Sequence, residues 1–327
     1  MESVKNIRNK AGSMDRETLT KIFSLISTIV ISVVFCAMNP SFLGTKNITN
    51  LLRDMSPVLV MACGEAYVLM LGSIDLSTGT VASCAAVMMT VLLQNVGAWA
   101  YPIVILYGVF AGTMNGVLHT KLGVPSFIAT LSTQAIWQSA AYLLSGGQPL
   151  SLLPAAWPLV NWAKVNVLGC IPLLFLAALV VLLIYSFVSR YTGIGRTVKS
   201  VGSNERATWL MGQNVHGAKI LAFMFSGLGA AIGGIFFAVK AKSGIPTVGV
   251  QYNMLGIAAA VLGGVQMTGG KGSIFMTLLG ALLITIIQNG MNVVGVDGLW
   301  QQIIFGALLL AAIFMNSDKD HKGLIVK

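Results

Sequence analysis

The sequence predicts an all-α polytopic membrane protein, and three observations support that fold class. Of the 327 residues, 56% are hydrophobic and only 9% are charged, whereas soluble domains average about 25% charged residues. The mean hydropathy is +0.83. Apolar runs of about 20 residues, the length that crosses a bilayer as a helix, recur along the whole chain.

Ten spans are expected in order, separated by polar segments. The first is a retained span rather than a signal peptide, because it lacks a small-residue cleavage site and further spans follow it. The polar stretch 39–55 is expected to hold a short surface helix around Asn47–Met55. The spans are placed at Ile22–Met38, Pro57–Leu71, Leu76–Gln94, Trp99–Leu118, Val124–Leu144, Ile171–Ser189, Ile220–Val239, Tyr252–Met267, Ser273–Val294 and Trp300–Met315.

The distribution of Lys and Arg predicts that both termini lie in the cytoplasm. With sides alternating, the inside segments hold 15 of the 20 Lys and Arg residues and the outside segments hold five, which fits the excess of cations in cytoplasmic loops. This topology gives a cytoplasmic tail at 1–21, one transmembrane domain over 22–315 and a cytoplasmic tail at 316–327. It explains the net charge of +10 without nucleic acid as a partner.

The loop 190–219 is the longest polar segment between two apolar blocks, and it falls on the cytoplasmic side. It carries five Lys or Arg residues and one acid, Glu205. Ser203 or Asn204 is placed to cap a short helix that begins near Glu205. The loop therefore predicts either a helix at the inner membrane surface or a solvated basic loop with no partner.

Glycine-rich breaks interrupt two of the spans. The second span is followed by G-S-I-D-L-S-T-G at 72–79, and the eighth contains G-G at 263–264 and leads into T-G-G-K-G at 268–272. Backbone that leaves a helix at membrane depth must be buried in protein or line a wet cavity. Such breaks point to the path of a transported ligand, and the alternative is a pair of tight cytoplasmic turns.

Two acids lie within or beside the apolar blocks of the first half. Glu65 is in the middle of a span, and Asp75 lies in the first break, next to Ser77. A charged residue costs roughly 2.5–3.5 kcal/mol at the centre of an inserted helix, so each acid needs a reason to be there. Glu65, Asp75 and Ser77 are candidates for a translocation pathway. The alternatives are a hydrogen bond between helices for Glu65 and a helix cap for Asp75.

Neutral polar side chains inside the spans complete the pathway candidates. Amides and hydroxyls suit a polar, uncharged solute such as a sugar better than an ion-coupled pump, which needs ionisable groups. The alternative is hydrogen bonding between helices. The candidates are Thr133, Gln134, Gln138, Asn253, Asn289 and Asn292.

Regularly spaced glycines predict close packing of helices. Gly108, Gly112 and Gly116 form one stripe, and Gly229 and Gly233 form a second; small residues at this spacing let helices approach closely. The four cysteines stand apart without metal-ligand spacing, and no common catalytic or phosphate-binding motif matches. We therefore expect neither a catalytic site nor a metal site in this chain.

Four sequence motifs, in a fixed order, carry a resemblance to a known family. They read L-G-S-I-D-L-S-T-G at 71–79, V-P-S-F-I-A-T-L-S at 124–132, V-G-S-N-E-R-A-T-W-L-M-G-Q-N-V at 201–215 and I-A-A-A-V-L-G-G-V-Q-M-T-G-G-K-G-S at 257–273. With these motifs the chain resembles the membrane permease subunits of bacterial ribose-type ABC importers, among whose relatives are autoinducer-2 permeases. The resemblance covers nearly the whole chain.

The resemblance implies a pore-forming subunit with the type II importer fold in the bacterial inner membrane. It places a coupling helix, which sits in a groove of a separate ATP-hydrolysing subunit, around Gly202, Asn204, Glu205, Arg206 and Gly212. No cofactor is expected in this chain, because ATP would bind that partner. An extracytoplasmic binding protein would deliver a simple sugar, and a second permease, either a copy or a paralogue, would complete the pore.

The chain departs from the family pattern at one place that bears on the solute. Asn253, Leu255 and Gly256 are uncharged where relatives often carry acids, which leaves a less usual sugar or a non-sugar polar solute open. The residues alone also leave two rivals. One is a secondary transporter driven by an ion gradient through Glu65 and Asp75, and the other is a channel or membrane scaffold without ATP dependence.

Overall fold

The computed structural model describes residues 16–167 and 169–316, and twelve α-helices account for most of them. Nine have 18 residues or more, and the seventh, eighth and tenth have 11 residues or fewer. The helices are α1 (Arg16–Met38), α2 (Thr45–Met70), α3 (Thr78–Val96), α4 (Ala100–Thr120), α5 (Ser126–Ser145), α6 (Leu173–Tyr191), α7 (Gly193–Ser203), α8 (Glu205–Leu210), α9 (Val215–Ala241), α10 (Tyr252–Leu262), α11 (Thr277–Val294) and α12 (Gly298–Asn316).

Four two-residue strands form two small antiparallel sheets. β1 (Leu150–Ser151) pairs with β4 (Ser243–Gly244), which ties the segment after α5 to the end of α9. β2 (Asn166–Val167) pairs with β3 (Ile171–Pro172) just before α6. Both sheets lie at the end of the helical body where α2 starts. Thr49 of α2 donates a hydrogen bond to the Cys170 carbonyl between β2 and β3, and Asp54 of α2 pairs with Lys240, just before β4.

Helix α9 lies at the centre of the helical body, packed against α2, α3 and α4. Its contact with α4 follows the stripe of Gly108, Gly112 and Gly116: a Cβ atom on Gly112 would overlap the Phe223 carbonyl oxygen, and one on Gly108 would lie 2.6 Å from that of Gly227. Its contact with α2 passes through Gly229 and Gly233 in the same way. Small residues therefore bring the backbones of three helices to close range, as packing within a bilayer favours.

Four stretches are long and apolar enough to cross a membrane: Thr78–Thr120, which spans α3 and α4, then Leu173–Tyr191, Val215–Ala241 and Ile274–Val294. Two shorter apolar helices cover Ser24–Met38 and Tyr252–Leu262. The chain is thus a multi-pass membrane protein. Each of the ten predicted spans overlaps a helix, while the number of crossings and the side of each terminus stay predictions. The tails 1–15 and 317–327 lie outside the described residues.

The prediction of a separate surface helix before a short second span is wrong. One continuous helix of 26 residues, α2, runs from Thr45 to Met70 with Pro57 inside it. A proline in a helix interior costs about 3 kcal/mol, because it removes a hydrogen bond and crowds the preceding turn. Here Met55, Ser56 and Val58 are all buried, so tertiary packing on both sides of the proline outweighs that cost.

Helix α10 is shorter than the eighth predicted span, Tyr252–Met267. α10 ends at Leu262 and has 11 residues, which gives a length of about 16 Å against a hydrocarbon core of about 30 Å. A turn follows at Gly263, where an added Cβ would lie 2.7 Å from the Met276 carbonyl oxygen. The glycine therefore lets the chain leave the helix against the start of α11.

Candidate functional site

A buried polar network surrounds the break between α2 and α3. Asp75 is fully buried, and its Oδ1 accepts hydrogen bonds from the Ser77 amide at 2.9 Å and the Ser77 hydroxyl at 2.6 Å. Its Oδ2 accepts from the Ser226 hydroxyl of α9 at 2.8 Å. The sequence predicted Asp75 as a cap of the following helix. In the structure α3 starts at Thr78, and the Asp75 carboxylate instead accepts from the Ser77 amide in the turn before the helix.

Glu65 joins this network from α2. Its Oε1 accepts a hydrogen bond from the Asp75 backbone amide at 3.2 Å. Its Oε2 is buried without a partner among the described residues. The glutamate therefore holds the break at Asp75 to the helix that precedes it.

Three neutral side chains extend the network to further helices. Asn115 of α4 donates to the Ser77 hydroxyl at 2.8 Å and accepts from the Thr133 hydroxyl of α5 at 2.7 Å. Asn253 of α10 donates to the Leu76 carbonyl at 2.7 Å and accepts from the Thr78 hydroxyl at 2.8 Å. The network thus ties the break to five helices, α2, α4, α5, α9 and α10.

The other predicted pathway residues of α5 sit apart from this network. Gln138 donates to the Pro246 carbonyl at 2.9 Å, and its Oε1 is buried without a partner in the described part of the chain. Gln134 is half-buried one turn away on the same face. Neither of them lines the two cavities described next.

A polar cavity of about 750 Å³, here called the carboxamide pocket, lies at the opposite end of α2. Asn289 and Asn292 of α11 line it, together with Asn47 and Asn50 of α2. Asn47 and Asn289 exchange two hydrogen bonds, at 2.8 and 3.0 Å. The structure therefore divides the predicted pathway residues into a buried network, this pocket, and a third group, Gln134 and Gln138, that belongs to neither.

Charged groups on three elements complete the carboxamide pocket. Asp54 of α2 forms an ion pair with Lys240 near the end of α9. Arg53 donates through one Nη to the Lys164 carbonyl at 2.9 Å and to Asn166 Oδ1 at 2.8 Å. The Lys164 side chain also lines the cavity. Sequence reasoning placed these residues in outer loops and did not group them, because they are up to 187 positions apart in the chain.

Helices α7 and α8 form an arm between α6 and α9. Asn204 caps α8, because its side-chain oxygen accepts from the Ala207 amide at 2.9 Å, as the sequence predicts. Glu205 forms an ion pair with Lys219 at 2.7 Å, which fixes α8 to the start of α9. Arg206 is exposed, and Gly212 takes a positive φ of 74° in the turn that follows.

An apolar tip at the end of α8 is the feature that sequence reasoning missed. Trp209, Leu210 and Met211 are 64%, 69% and 67% exposed. The sequence did contain a signal for this tip, namely three consecutive large apolar residues within a basic loop. Exposed apolar clusters of this kind are typical of surfaces that contact another protein or the membrane.

The arm meets both glycine-rich breaks at one point, here called the glycine junction. The Gly270 amide donates to the Met70 carbonyl at 2.8 Å, and a Cβ atom on Gly202 would overlap that same carbonyl oxygen. A Cβ on Gly269 would lie 2.8 Å from the Gly72 nitrogen. Backbone therefore packs directly on backbone where α7, the end of α2 and the loop after α10 come together.

Within the described ranges, no group of three or more His, Cys, Asp or Glu side chains is placed to hold a metal ion. The arrangement combines a polar pocket at one end of α2 with an exposed apolar tip and a glycine junction at the other. Such an arrangement suits the passage of a solute and the transmission of motion rather than covalent chemistry.

Residues 47–313 match the family model described as branched-chain amino acid transport system / permease component. The chain is 32% identical over 307 residues to the ribose import permease protein of Haemophilus influenzae, covering 92% of this chain and 94% of the relative. It is 32% identical over 304 residues to the L-arabinose transport system permease protein of Escherichia coli, covering 89% and 90%. It is 29% identical over 292 residues to the D-allose transport system permease protein of Escherichia coli, covering 88% of each.

Proposed function

The chain belongs to this family of importer permeases, and we propose that it forms the translocation pathway for a simple sugar in an ATP-driven importer. The observation that carries the proposal is the match itself, which runs through both glycine-rich breaks and the arm. The relatives named for ribose, L-arabinose and D-allose cover about nine-tenths of the chain. The permease role follows from the family, and the sugar is our inference from these names.

We infer a topology of ten crossings within one domain over 22–315, with both termini in the cytoplasm of a bacterium and the helices in its inner membrane. The arm then lies on the cytoplasmic side, where the excess of Lys and Arg belongs. The carboxamide pocket lies on the outer side. About 24 Å of α2 separates Asp54 at the pocket from Met70 at the glycine junction, by the rise per residue of a helix.

The arm is the proposed docking site for an ATP-binding subunit. Its apolar tip at 209–211 and the exposed cation of Arg206 face away from the helical body. This chain has no phosphate-binding loop, so ATP would be bound and hydrolysed by the partner. ATP-driven closure of that partner would push α8, and the glycine junction would pass the movement to both breaks.

Two further partners complete the proposed importer. An extracytoplasmic solute-binding protein would deliver the sugar to the outer face. A second permease, a copy of this chain or a paralogue, would form the other half of the pore. Of the predicted pathway residues, Asn289 and Asn292 line the carboxamide pocket, which supports a role for them at the outer end of the pathway.

Gentle affinity purification from native membranes, with mass spectrometry of what comes along, tests the importer assembly. We expect an ATPase subunit with an intact phosphate-binding loop. Its stoichiometry also separates a permease homodimer from a heterodimer. A stable, cross-linked preparation that contains only this chain would contradict the proposal.

Replacing Trp209 with Ala locates the docking site. Buried tryptophans are frequent hot spots of interfaces, and their loss typically costs about 2 kcal/mol or more, so we expect the affinity for the ATPase subunit to fall at least about tenfold. Trp99→Ala is the control, because Trp99 is 74% exposed in the turn before α4, away from the arm. Equal affinity of both variants would place the docking site elsewhere.

A further inference from the structure

The carboxamide pocket offers many more hydrogen-bond donors than acceptors. The Asn50 side chain and the Lys164 ammonium line the pocket and have no hydrogen-bond partner within the described part of the chain, so their donors are available to a ligand. Asn292 accepts a hydrogen bond from Gln301 at 2.8 Å, so its amide hydrogens stay available. The one carboxylate of the lining, Asp54, is already neutralised by Lys240. A ligand that fits must therefore supply acceptors.

The pocket also gathers the cations that the predicted outer segments contain. Arg53, Lys164 and Lys240 line it, and Lys46 lines a neighbouring cavity of about 460 Å³ that shares Asn47 and Asn50. After the Asp54–Lys240 pair is set aside, Arg53 and Lys164 leave two positive charges. A concave site lined by one sign of charge concentrates ligands of the opposite sign. One Nη of Arg53 is already bonded to the Lys164 carbonyl and to Asn166 Oδ1, so Arg53 contributes its positive charge to the pocket.

The volume of the pocket fits a small molecule. Ligand sites typically measure about 300–1,000 Å³, and this one measures about 750 Å³. The pocket mixes side-chain amides with the two unpaired cations, which suits hydroxyl groups and an anionic group on one molecule. A fully apolar or cationic solute would leave those donors unpaired at a cost.

We propose that the carboxamide pocket is the outer binding site for a sugar acid, that is, a polyhydroxylated solute with one carboxylate. Arg53 and Lys164 receive the carboxylate, and Asn50 and Asn292 receive hydroxyl groups. This proposal rests on the proposed importer function and narrows its solute class. It makes Arg53 and Lys164 the residues that separate an acidic sugar from a neutral one.

D-glucuronate and D-glucose form a matched pair of probes, because they differ by a carboxylate in place of a hydroxymethyl group. Saturation-transfer difference NMR on the full chain in lipid nanodiscs measures weak binding of each. We expect the dissociation constant of glucuronate to be at least about tenfold lower than that of glucose, a difference of about 1.4 kcal/mol. Added salt should reduce this preference, because the charges are screened.

Two variants and one control assign the preference to the pocket. Lys164→Gln and Arg53→Gln should each raise the dissociation constant of glucuronate about tenfold and leave glucose unchanged. Lys164→Gln keeps the test valid if Arg53→Gln unfolds the loop, since the Lys164 side chain makes no hydrogen bond within the described ranges. Lys121→Gln is the control, because Lys121 is exposed after α4, whose last turns pack on the start of α9 next to the arm and away from the pocket.

Several results would overturn the proposal. These are equal binding of glucuronate and glucose, no binding of either, or an effect of Lys121→Gln as large as that of Lys164→Gln. The proposal would also be overturned if the pocket bound an acidic solute-binding protein and no glucuronate, because its cations and amides would then be a protein-docking surface. The importer function is tested separately, by whether an ATPase subunit copurifies with the chain. The measurement of glucuronate binding does not depend on that result.

Discussion

Asp75 shows how a carboxylate is accommodated in the buried interior of the helical body. Its two oxygens accept from the Ser77 amide and hydroxyl and from the Ser226 hydroxyl, and Asn115 Nδ2 lies 3.5 Å from Oδ1. Buried charge costs free energy unless such donors surround it. At this residue, sealed from both described cavities, the contacts favour a structural role in fixing the break over direct contact with solute.

Asp75→Asn is the corresponding test. The amide would place N–H groups against donors, so a buried hydrogen bond is lost and a donor is left unpaired, at about 1–3 kcal/mol. We expect a lower unfolding temperature of the detergent-solubilised protein, measured by tryptophan fluorescence. Asp297→Asn is the control, because Asp297 is exposed and accepts one bond, from the Leu299 amide, through an oxygen that Asn retains. Loss of sugar uptake at an unchanged unfolding temperature would instead favour a role in the pathway.

Helix α2 is the element that connects the two candidate sites. Its first turns line the carboxamide pocket, its last two turns carry Glu65, and its last carbonyl, from Met70, accepts the Gly270 amide at the glycine junction. Under the proposed function, motion of the arm at Gly202 would therefore reach the carboxamide pocket through α2.

Gly202→Ala tests the glycine junction. The new Cβ would overlap the Met70 carbonyl oxygen, and backbone cannot yield as a side-chain end does, so we expect a cost of about 1–3 kcal/mol, typical of overpacking. ATP-driven uptake into proteoliposomes and the unfolding temperature should both fall. Gly193→Ala is the matched control, because Gly193 opens the same helix and a Cβ there has open space. Equal behaviour of the two variants would remove the junction from the coupling route.

At the scale of the whole molecule, polar chemistry is divided between two ends. The carboxamide pocket and the small sheets lie at one end, and the arm and the glycine junction lie at the other. The buried polar network lies close to the glycine junction, since Asp75 follows Gly72 by three residues. This division suits a permease that receives solute on one side and force on the other.

Cysteine labelling tests the orientation of the two ends. A membrane-impermeant maleimide should label Asn50→Cys only from outside the cell and Leu210→Cys only from inside, because the chain is proposed to place these exposed positions on opposite sides. The background carries Cys36→Ser and Cys170→Ser, since these two native thiols are half-buried and Cys63 and Cys84 are buried. Labelling of both positions from one side would overturn the proposed topology.

The sequence predicted the helical membrane class, the helix near Glu205 with its Asn204 cap, and the family resemblance. Hydropathy, capping side chains and short motifs are local properties, which are readable without knowing what packs where. The stripe at 108, 112 and 116 was likewise visible, although its partner on α9 was not. The sequence could not predict that α2 continues through Pro57. Local propensity favours a helix break at proline, and the packing of its buried neighbours outweighs that propensity.

Tertiary structure alone decided which polar residues act together. It joined Glu65 and Asp75 with Asn115, Thr133 and Asn253 in one network. It set Asn289 beside Asn47, which lies 242 positions earlier in the chain. Asn47 and Asn289 meet because α11 packs against α2, and the network residues meet because glycine-mediated contacts hold α9 against α2, α3 and α4. The sequence by itself therefore determined the kind of protein and its helices, while the packing of those helices decided where a solute and a partner can bind.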